Sequence, residues 1–341
     1  MHPNTRQRLL ISAAGLGLGL AARALLRRTA EYDLHGKTVI ITGGSRGLGL
    51  ALARTFADAG ASLVLGARDP DELERAREEL AQRGVPVLAV QCDVTDRGQV
   101  QALVTAARQR FGQVDVLVNN AGLIQVGPLE DQTLEDFEAA MNTHFWGPLF
   151  TILEVLPEMQ ARREGRIVNI SSIGGKISVP HMLPYSASKF ALVGLSEGLH
   201  AELAKDGIVV TTVTPGLMRT GSPLQATFKG QHEKEYTWFA ISDSLPVMSI
   251  SAVQAAREIV AACRRGAAQL TLTLPARLAI PFHGVFPGLT SDLLALVNAL
   301  LPAPGGIGEA QARGVESQTP QSRVWAAPVL AAARENNELA A

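Results

Sequence analysis

Short, continuously apolar runs recur along the chain at Thr38–Ile41, Ser62–Leu65, Val87–Val90, Val114–Val118, Ile167–Ile170 and Ile208–Val213. A strand with one face in water alternates apolar and polar residues. These runs do not alternate, so they predict strands covered on both sides, as in a parallel sheet. Between them lie longer stretches with helical spacing and charged faces. Asp69-Pro70-Asp71-Glu72 has the form of a helix start, with a capping side chain, a proline in the first turn and acids behind it. Strand–helix alternation of this kind needs right-handed crossovers. It predicts an α/β fold, a doubly wound (Rossmann) parallel sheet of about seven strands with helices on both faces. One domain over residues 33–274 accounts for it.

The first strand runs into Thr42-Gly43-Gly44-Ser45-Arg46-Gly47-Leu48-Gly49 and then a helical pattern. One glycine lets the chain turn off the strand, one lets backbone amides approach a pyrophosphate, and one lets helix and sheet pack closely. The helix N-terminus adds partial positive charge for the phosphates. Glycine runs also occur in ordinary loops; the strand–loop–helix setting is what points to a dinucleotide.

The pattern Thr-Gly-x-x-x-Gly-x-Gly resembles the short-chain dehydrogenase/reductase superfamily in its single-domain form, over about residues 34–220. That resemblance implies an oxidoreductase that passes hydride between a nicotinamide and a carbonyl or alcohol. It assigns cofactor contacts to Thr42, Gly43, Ser45, Arg46, Gly47, Leu48 and Gly49. It also assigns Asp93 to the adenine, and Asn119-Asn120-Ala121-Gly122 to a segment that lines the cofactor and stabilises the sheet. Pro215-Gly216-Leu217-Met218-Arg219-Thr220 matches the turn that orients the nicotinamide, through Pro215, Gly216 and Thr220.

The end of the second strand chooses between the two nicotinamides. A carboxylate there holds the ribose hydroxyls of NAD. Here Leu65-Gly66-Ala67-Arg68 has no acid at Ala67 and a cation next to it, and Arg46 adds a second guanidinium. Two fork-shaped donors suit a 2′-phosphate, so NADP(H) is expected, with NAD(H) the second choice.

Reduction of a carbonyl also needs a proton donor. Tyr185 and Lys189 are four apart, on one helix face. A phenol of pKa near 10 is a poor base at neutral pH, and a neighbouring ammonium favours the phenolate. A Tyr-x-x-x-Lys pair alone is common. Within the resemblance, Ser172, thirteen residues before Tyr185, polarises the substrate oxygen, with Ser171 as the structural neighbour. Asn142 matches the family asparagine of the proton relay, and Lys189 holds the nicotinamide ribose. The expected catalytic set is Asn142, Ser172, Tyr185 and Lys189. His144, His181 and His200 have no metal-ligand spacing and are read as structural, with His181 within reach of substrate. No metal is expected.

A net charge of −1 argues against nucleic acid as a partner, and two cysteines exclude a disulfide framework. Residues 217–249 are polar and irregular, long enough for a lid. Residues 275–301 are apolar and proline-punctuated, with a short helix from Ser291, and 302–323 are rich in Gly, Pro, Gln and Ser, which predicts a disordered tail. The apolar C-terminal extension suggests a hydrophobic ketone or aldehyde as substrate.

At the N-terminus, Arg6 and Arg8 precede an uncharged run of 14 residues from Leu9 to Ala22, and Arg23, Arg27 and Arg28 follow. The run falls short of the roughly 20 residues that span a bilayer, unless it extends to Leu26 with Arg23 snorkelling. Residues 1–32 are read as a membrane anchor or interfacial helix, with the catalytic domain on the cytoplasmic side; a soluble amphipathic extension is the alternative. Ala22-Arg23-Ala24 has the form of a signal-cleavage site, discounted because export would part the enzyme from its cofactor. Leu192, Leu195 and Leu199 form a stripe on the Tyr185 helix that suits a homo-oligomer contact or equally the core. The rival reading is a noncatalytic NADP(H)-binding sensor or membrane-tethered scaffold, whose signature would be a kept loop with a broken tetrad. An epimerase or dehydratase is a further enzyme alternative.

Overall fold

The computed structural model describes residues 31–245 and 248–339. In chain order β1 (Thr38–Thr42), α1 (Gly47–Asp58), β2 (Ser62–Ala67), α2 (Pro70–Ala81), β3 (Val87–Gln91), α3 (Arg97–Phe111) and β4 (Val116–Asn119) form the first half. A short β5 (Gln125–Val126) precedes α4 (Leu134–Met141), which passes through a π turn (Asn142–Trp146) into α5 (Gly147–Arg162). Then come β6 (Gly165–Ile170), α6 (Leu183–Leu203) and β7 (Ile208–Thr214). The predicted start of α2 is there: the Asp69 carboxylate accepts from the amides of Asp71 and Glu72 at 3.0 and 2.9 Å.

The seven-stranded sheet, completed by β11 (Gln269–Thr271), has the order β11-β7-β6-β4-β1-β2-β3 with every pair parallel. Winding reverses between β1 and β4, which opens a crevice at the carboxyl ends of those strands, where such folds bind ligands. The continuity of the apolar runs has a direct cause. Val39 and Ile41 point to one face and pack with Leu50, Phe56 and Ile259, while Ile40 points to the other and packs with Leu103, Ile152 and Val155. Both faces are dry, and each such side chain contributes about 1.5–3 kcal/mol by burial.

Three stretches differ from expectation. The described residues of 217–249 form regular elements: β8 (Leu217–Arg219), α7 (Ser222–Gln225), β9 (Thr227–Phe228), the 13-residue α8 (His232–Ser244) and β10 (Ser249–Ser251), which pairs with β8. Helix α8 buries Glu235, Asp243 and Ser244 beside Tyr236 and Phe239, so no apolar stripe announces it. After α9 (Ala252–Arg265), the apolar 275–301 stretch forms two helices, α10 (Leu274–Val285) and α11 (Pro287–Asn298). Leu274, Leu278, Val285, Leu296 and Leu300 on and just after them are exposed.

The segment expected to be disordered instead contains β12 (Ala312–Arg313), antiparallel to β9, and begins α12 (Pro320–Trp325), which α13 (Ala327–Glu335) follows. Its polar residues satisfy fixed partners: Gln311 donates to Asp136 at 2.9 Å, and the Ser317 hydroxyl meets His232 at 3.0 Å. Ala326, Val329 and Ala333 then join Val126, Phe228 and Tyr236 in a third core. Low mean hydropathy failed as a guide because the segment docks on a surface that the rest of the chain has built. Leu192 is buried, and Leu195 and Leu199 are half-buried, within the single chain. The N-terminal run lies outside the described residues; among those described, no helix is long and apolar enough to cross a membrane.

Candidate active site

A cavity of about 750 Å³ follows the carboxyl ends of the central strands. Its wall carries Gly43, Ser45, Arg46, Gly47, Leu48 and Gly49 from the first loop, and Ala67, Arg68 and Asp93 at the far end. The glycines have geometric reasons. Gly43 has φ +62°, and a Cβ there would stand 2.9 Å from the Ala121 Cα; a Cβ on Gly49 would meet the Gly43 carbonyl oxygen at 1.9 Å. This is a cradle shaped by backbone at the N-terminus of α1, and its volume and helix-end dipole fit a dinucleotide.

Thr42 is buried beneath the loop rather than in its wall. Its hydroxyl accepts from the amides of Asn120 and Ala121 at 3.0 and 3.1 Å, which clamps the segment after β4 to the glycine loop. Asn120, expected only as part of the segment after β4 and not singled out as a contact, lines the cavity and donates to the carbonyls of Thr42 and Gly43 at 3.0 and 3.1 Å. Asn119, expected to line the cofactor, does not. Its amide donates to Asn169 at 2.9 Å and accepts from Thr151 at 2.6 Å, stitching β4 to β6 inside the protein, so only the sheet-stabilising half of that expectation fits.

At the adenosine end Arg68 is exposed and makes no ion pair among the described residues. Arg46 is engaged: its guanidinium meets Glu72 at 2.6 Å, and the Ser45 hydroxyl donates to the same carboxylate at 3.1 Å. Asp93 accepts from the amide and hydroxyl of Thr95 at 2.9 and 2.8 Å while lining the wall.

At the other end, α6 brings Tyr185 and Lys189 into the same cavity. The Lys189 ammonium stands 5.6 Å from the Tyr185 ring centre and donates to the Ile170 carbonyl at 2.9 Å. Burial lowers Lys189 to about 7. Burial raises Tyr185 to about 12, against the pull of a hydrogen bond with Ser172 and with a push from the Asp243 carboxyl. The Ser172 hydroxyl accepts from the Gly174 amide at 3.0 Å, while Ser171 is tied to the Lys189 carbonyl at 3.1 Å.

The turn after β7 divides its labour. Pro215 accepts the Ile173 amide at 2.7 Å, and Gly216 is pressed against Thr273; neither lies in the cavity wall. Thr220 does, with Gly122, Met218 and Ser222, and its hydroxyl donates to Ser222 at 2.9 Å.

Asn142 is the clear correction. It is exposed and lies with Phe137, Glu138 and Trp146 at a separate surface depression, away from Tyr185. The π turn carries its side chain outward and turns His144 inward. His144 is buried and lines the main cavity, its ring edge-on to Tyr185 at 5.4 Å. Its Nε2 accepts from the Leu123 amide at 3.1 Å, which leaves the proton on Nδ1, 2.8 Å from the Ser188 hydroxyl. Burial, reinforced by Lys189, holds it well below the ordinary histidine range, so it is neutral. His181 pairs with Glu235 of α8 at 2.8 Å. Among the described residues no group of three or more His, Cys, Asp or Glu could hold a metal ion.

A family model described as short chain dehydrogenase matches residues 37–229. The chain is 35% identical over 294 residues, 84% of its length and 88% of the relative's, to a dehydrogenase/reductase SDR family member 7B of Bos taurus. It is 40% identical over 226 residues, 64% of its own length and 83% of the relative's, to a putative ketoacyl reductase of granaticin polyketide synthase from Streptomyces violaceoruber. Among solved structures, a short-chain dehydrogenase from Streptomyces avermitilis aligns with a TM-score of 0.66 at 31% identity, over 77% of this chain and 97% of that one. An L-sorbose reductase from Gluconobacter frateurii, solved with NADPH and L-sorbose, aligns with a TM-score of 0.64 at 29% identity, over 71% and 97%. With its sheet order, glycine cradle and Tyr185–Lys189 pair in one cavity, the chain belongs to the short-chain dehydrogenase family of nicotinamide-dependent oxidoreductases.

Proposed function

We propose that the protein is an NADP(H)-dependent reductase of a hydrophobic ketone or aldehyde. The observation that carries this reading is continuity: one cavity runs from the glycine cradle and Arg68 to Tyr185 and Lys189. Arg68, exposed at the adenosine end with no acid beside it on β2, is the group to receive a 2′-phosphate; Arg46 can contribute only by loosening its pair with Glu72. A polyketide ketoreductase of TM-score 0.63 and 31% identity, solved with NADPH, supports the same choice.

A bound nicotinamide supplies the hydride. Tyr185 gives its phenolic proton to the substrate oxygen, and Ser172, whose hydroxyl pulls the Tyr185 pKa down, polarises that oxygen. Lys189 stands beside the ring, held by Ile170, to contact the cofactor ribose and refill the proton. His144 keeps Tyr185 in position from behind its ring. The third core, with Phe228, Tyr236 and Phe239, packs beside Tyr185 as an apolar roof, and Leu123, Ile124 and Met218 stand in the cavity wall; those wall residues are the support for a hydrophobic substrate. Anchoring on the cytoplasmic face of a membrane is part of the same reading and rests on the sequence of residues 9–26.

The test is NADPH oxidation against a panel of lipophilic and polar carbonyls, with Tyr185→Phe in parallel. Turnover of lipophilic carbonyls that vanishes in the variant, with NADPH still bound, is expected. Equal turnover by the variant, or turnover of small polar carbonyls alone, refutes the reading. Binding without turnover in either direction favours the sensor instead.

A further inference from the structure

The glycine cradle already holds something. The chain returns to it at residues 336–338, nearly 300 positions downstream. The Gly47 amide, first donor of α1, gives its hydrogen bond to the Asn336 carbonyl at 2.9 Å. The Asn337 side chain donates to the carbonyls of Ser45 and Glu72 at 2.9 and 3.0 Å. The Glu338 carboxylate accepts from the Gly221 amide at 2.8 Å, and its Oε1 lies 2.8 Å from where a Gly47 Cβ would be. It is thus wedged between the first loop and the turn after β7, only 6% exposed, and it forms part of the cavity wall.

The fit is built from both sides. Arg54 donates to the Asn336 side chain at 3.0 Å and to the Glu335 carbonyl at 2.9 Å, and Arg75 donates to the Asn337 side chain at 2.8 Å. Gln225 donates to the Glu338 carbonyl at 2.8 Å. Glycine is the residue that makes room at both contact points, since a Cβ at Gly221 would also stand 2.7 Å from the Glu338 carboxylate.

A pyrophosphate seeks the same features: amides at a helix N-terminus, glycine backbone it can approach closely, and a nearby guanidinium, here Arg46. The Glu338 carboxyl, which burial raises to about 7, and a pyrophosphate cannot both occupy that cradle, and once the carboxyl is ionised the two repel strongly in a poorly hydrated site. We infer that residues 336–338 are a built-in occupant of the pyrophosphate cradle, with Glu338 in the place of a phosphate, and that the dinucleotide binds by displacing them. The inference rests on the cofactor reading above and adds a competitor to it. The free enzyme is a closed form, and its apparent cofactor affinity is its intrinsic affinity reduced by the fraction of molecules with the segment released.

Dissociation constants for NADPH and NADH would be measured by calorimetry on the full chain, Glu338→Gln, Asn337→Ala, and a chain ending at Glu335. Melting curves establish that each is folded. The expected result is tighter binding of both dinucleotides in every variant, about tenfold or more for the shortened chain, with smaller gains for the two substitutions. Hydrogen exchange on the full chain should show the amides of 336–338 losing protection when NADPH is added. Unchanged or weaker binding by folded Glu338→Gln and Asn337→Ala, or a segment that stays protected in the complex, overturns the inference and makes the segment a wall of the site. Binding by no form, the shortened chain included, overturns the cofactor reading itself and the displacement with it.

Discussion

Replacing His144 by alanine tests the inward-facing π turn at its centre. Three losses can be sized from the structure. The Leu123 amide would be left without its acceptor in a dry site, at about 1–3 kcal/mol. The edge-on contact with Tyr185 is worth about 0.5–1.5 kcal/mol. The hydrogen bond to Ser188, whose own hydroxyl donates to the Tyr185 carbonyl at 2.8 Å, adds about 1 kcal/mol. The sum is about 4 kcal/mol, enough to lower Tm by roughly 8 °C at about 2 °C per kcal/mol for a chain of this size. Because the lost contacts support the Tyr185 ring, kcat should fall by up to about 100-fold, the scale of an ångström-sized misplacement. His144→Asn keeps one donor and one acceptor and should recover most of both. The folded histidine stays neutral where the unfolded one takes a proton, so this residue costs the wild type stability as pH falls below about 6.5. That acid-side component should be missing in the asparagine variant. Melting curves from pH 5 to 8 and steady-state kinetics decide it. An alanine variant with wild-type Tm and kcat would refute the positioning argument.

Four further outcomes follow from the same geometry. Lys189→Met should abolish turnover yet raise Tm at pH 7 by about 2 kcal/mol equivalent, since a buried amine lowered to about 7 loses stability as pH falls from 10 towards 7; a destabilised variant in thermal melts would contradict this. Asp243→Asn should be more stable than wild type at pH 8, because the buried carboxyl, raised to about 8, keeps a proton that the unfolded chain releases from about pH 4 upward. The pH–rate profile of that variant should move to lower pH as well, one charge that pushes Tyr185 upward having gone. Arg68→Glu should lower kcat/KM for NADPH by about 100-fold or more and leave NADH little affected, a comparison that fails if both fall together. Asp69→Ala should lower stability by about 1 kcal/mol in denaturant melts, as loss of the α2 cap.

What the sequence made legible had local physics behind it. The strands stood out because both faces of the sheet are dry, and the glycine loop because backbone contact forbids a Cβ at Gly43 and Gly49. Tyr185 and Lys189 followed from helical spacing. The errors sit where local rules give way to distant contacts. Asn142 and His144 are two residues apart, and the π turn that exchanges their directions has no composition signature of its own. Asn119 and Asn120 are adjacent residues of the same type on an emerging strand, and only the register of β4 against β6 tells them apart. Glu338 could not have been placed at all, because its partners Gly47 and Gly221 are brought to it by the whole fold.

The roof over Tyr185 has a consequence for how the protein is made. Its small sheet joins β5, β9 and β12, and its core joins Val126, Met182 and Phe228 with Ala326 and Ala333. The last strand of the main sheet ends at Thr271, so about 60 more residues must emerge before the roof can close. At 5–20 residues per second, that interval is on the order of 3–12 seconds. Throughout it the nascent chain carries a finished nucleotide-binding sheet with the apolar flank of its substrate end uncovered. Chaperone contact during synthesis should therefore concentrate on Val126, Phe228, Tyr236 and Phe239, and should end when residues 326–333 arrive.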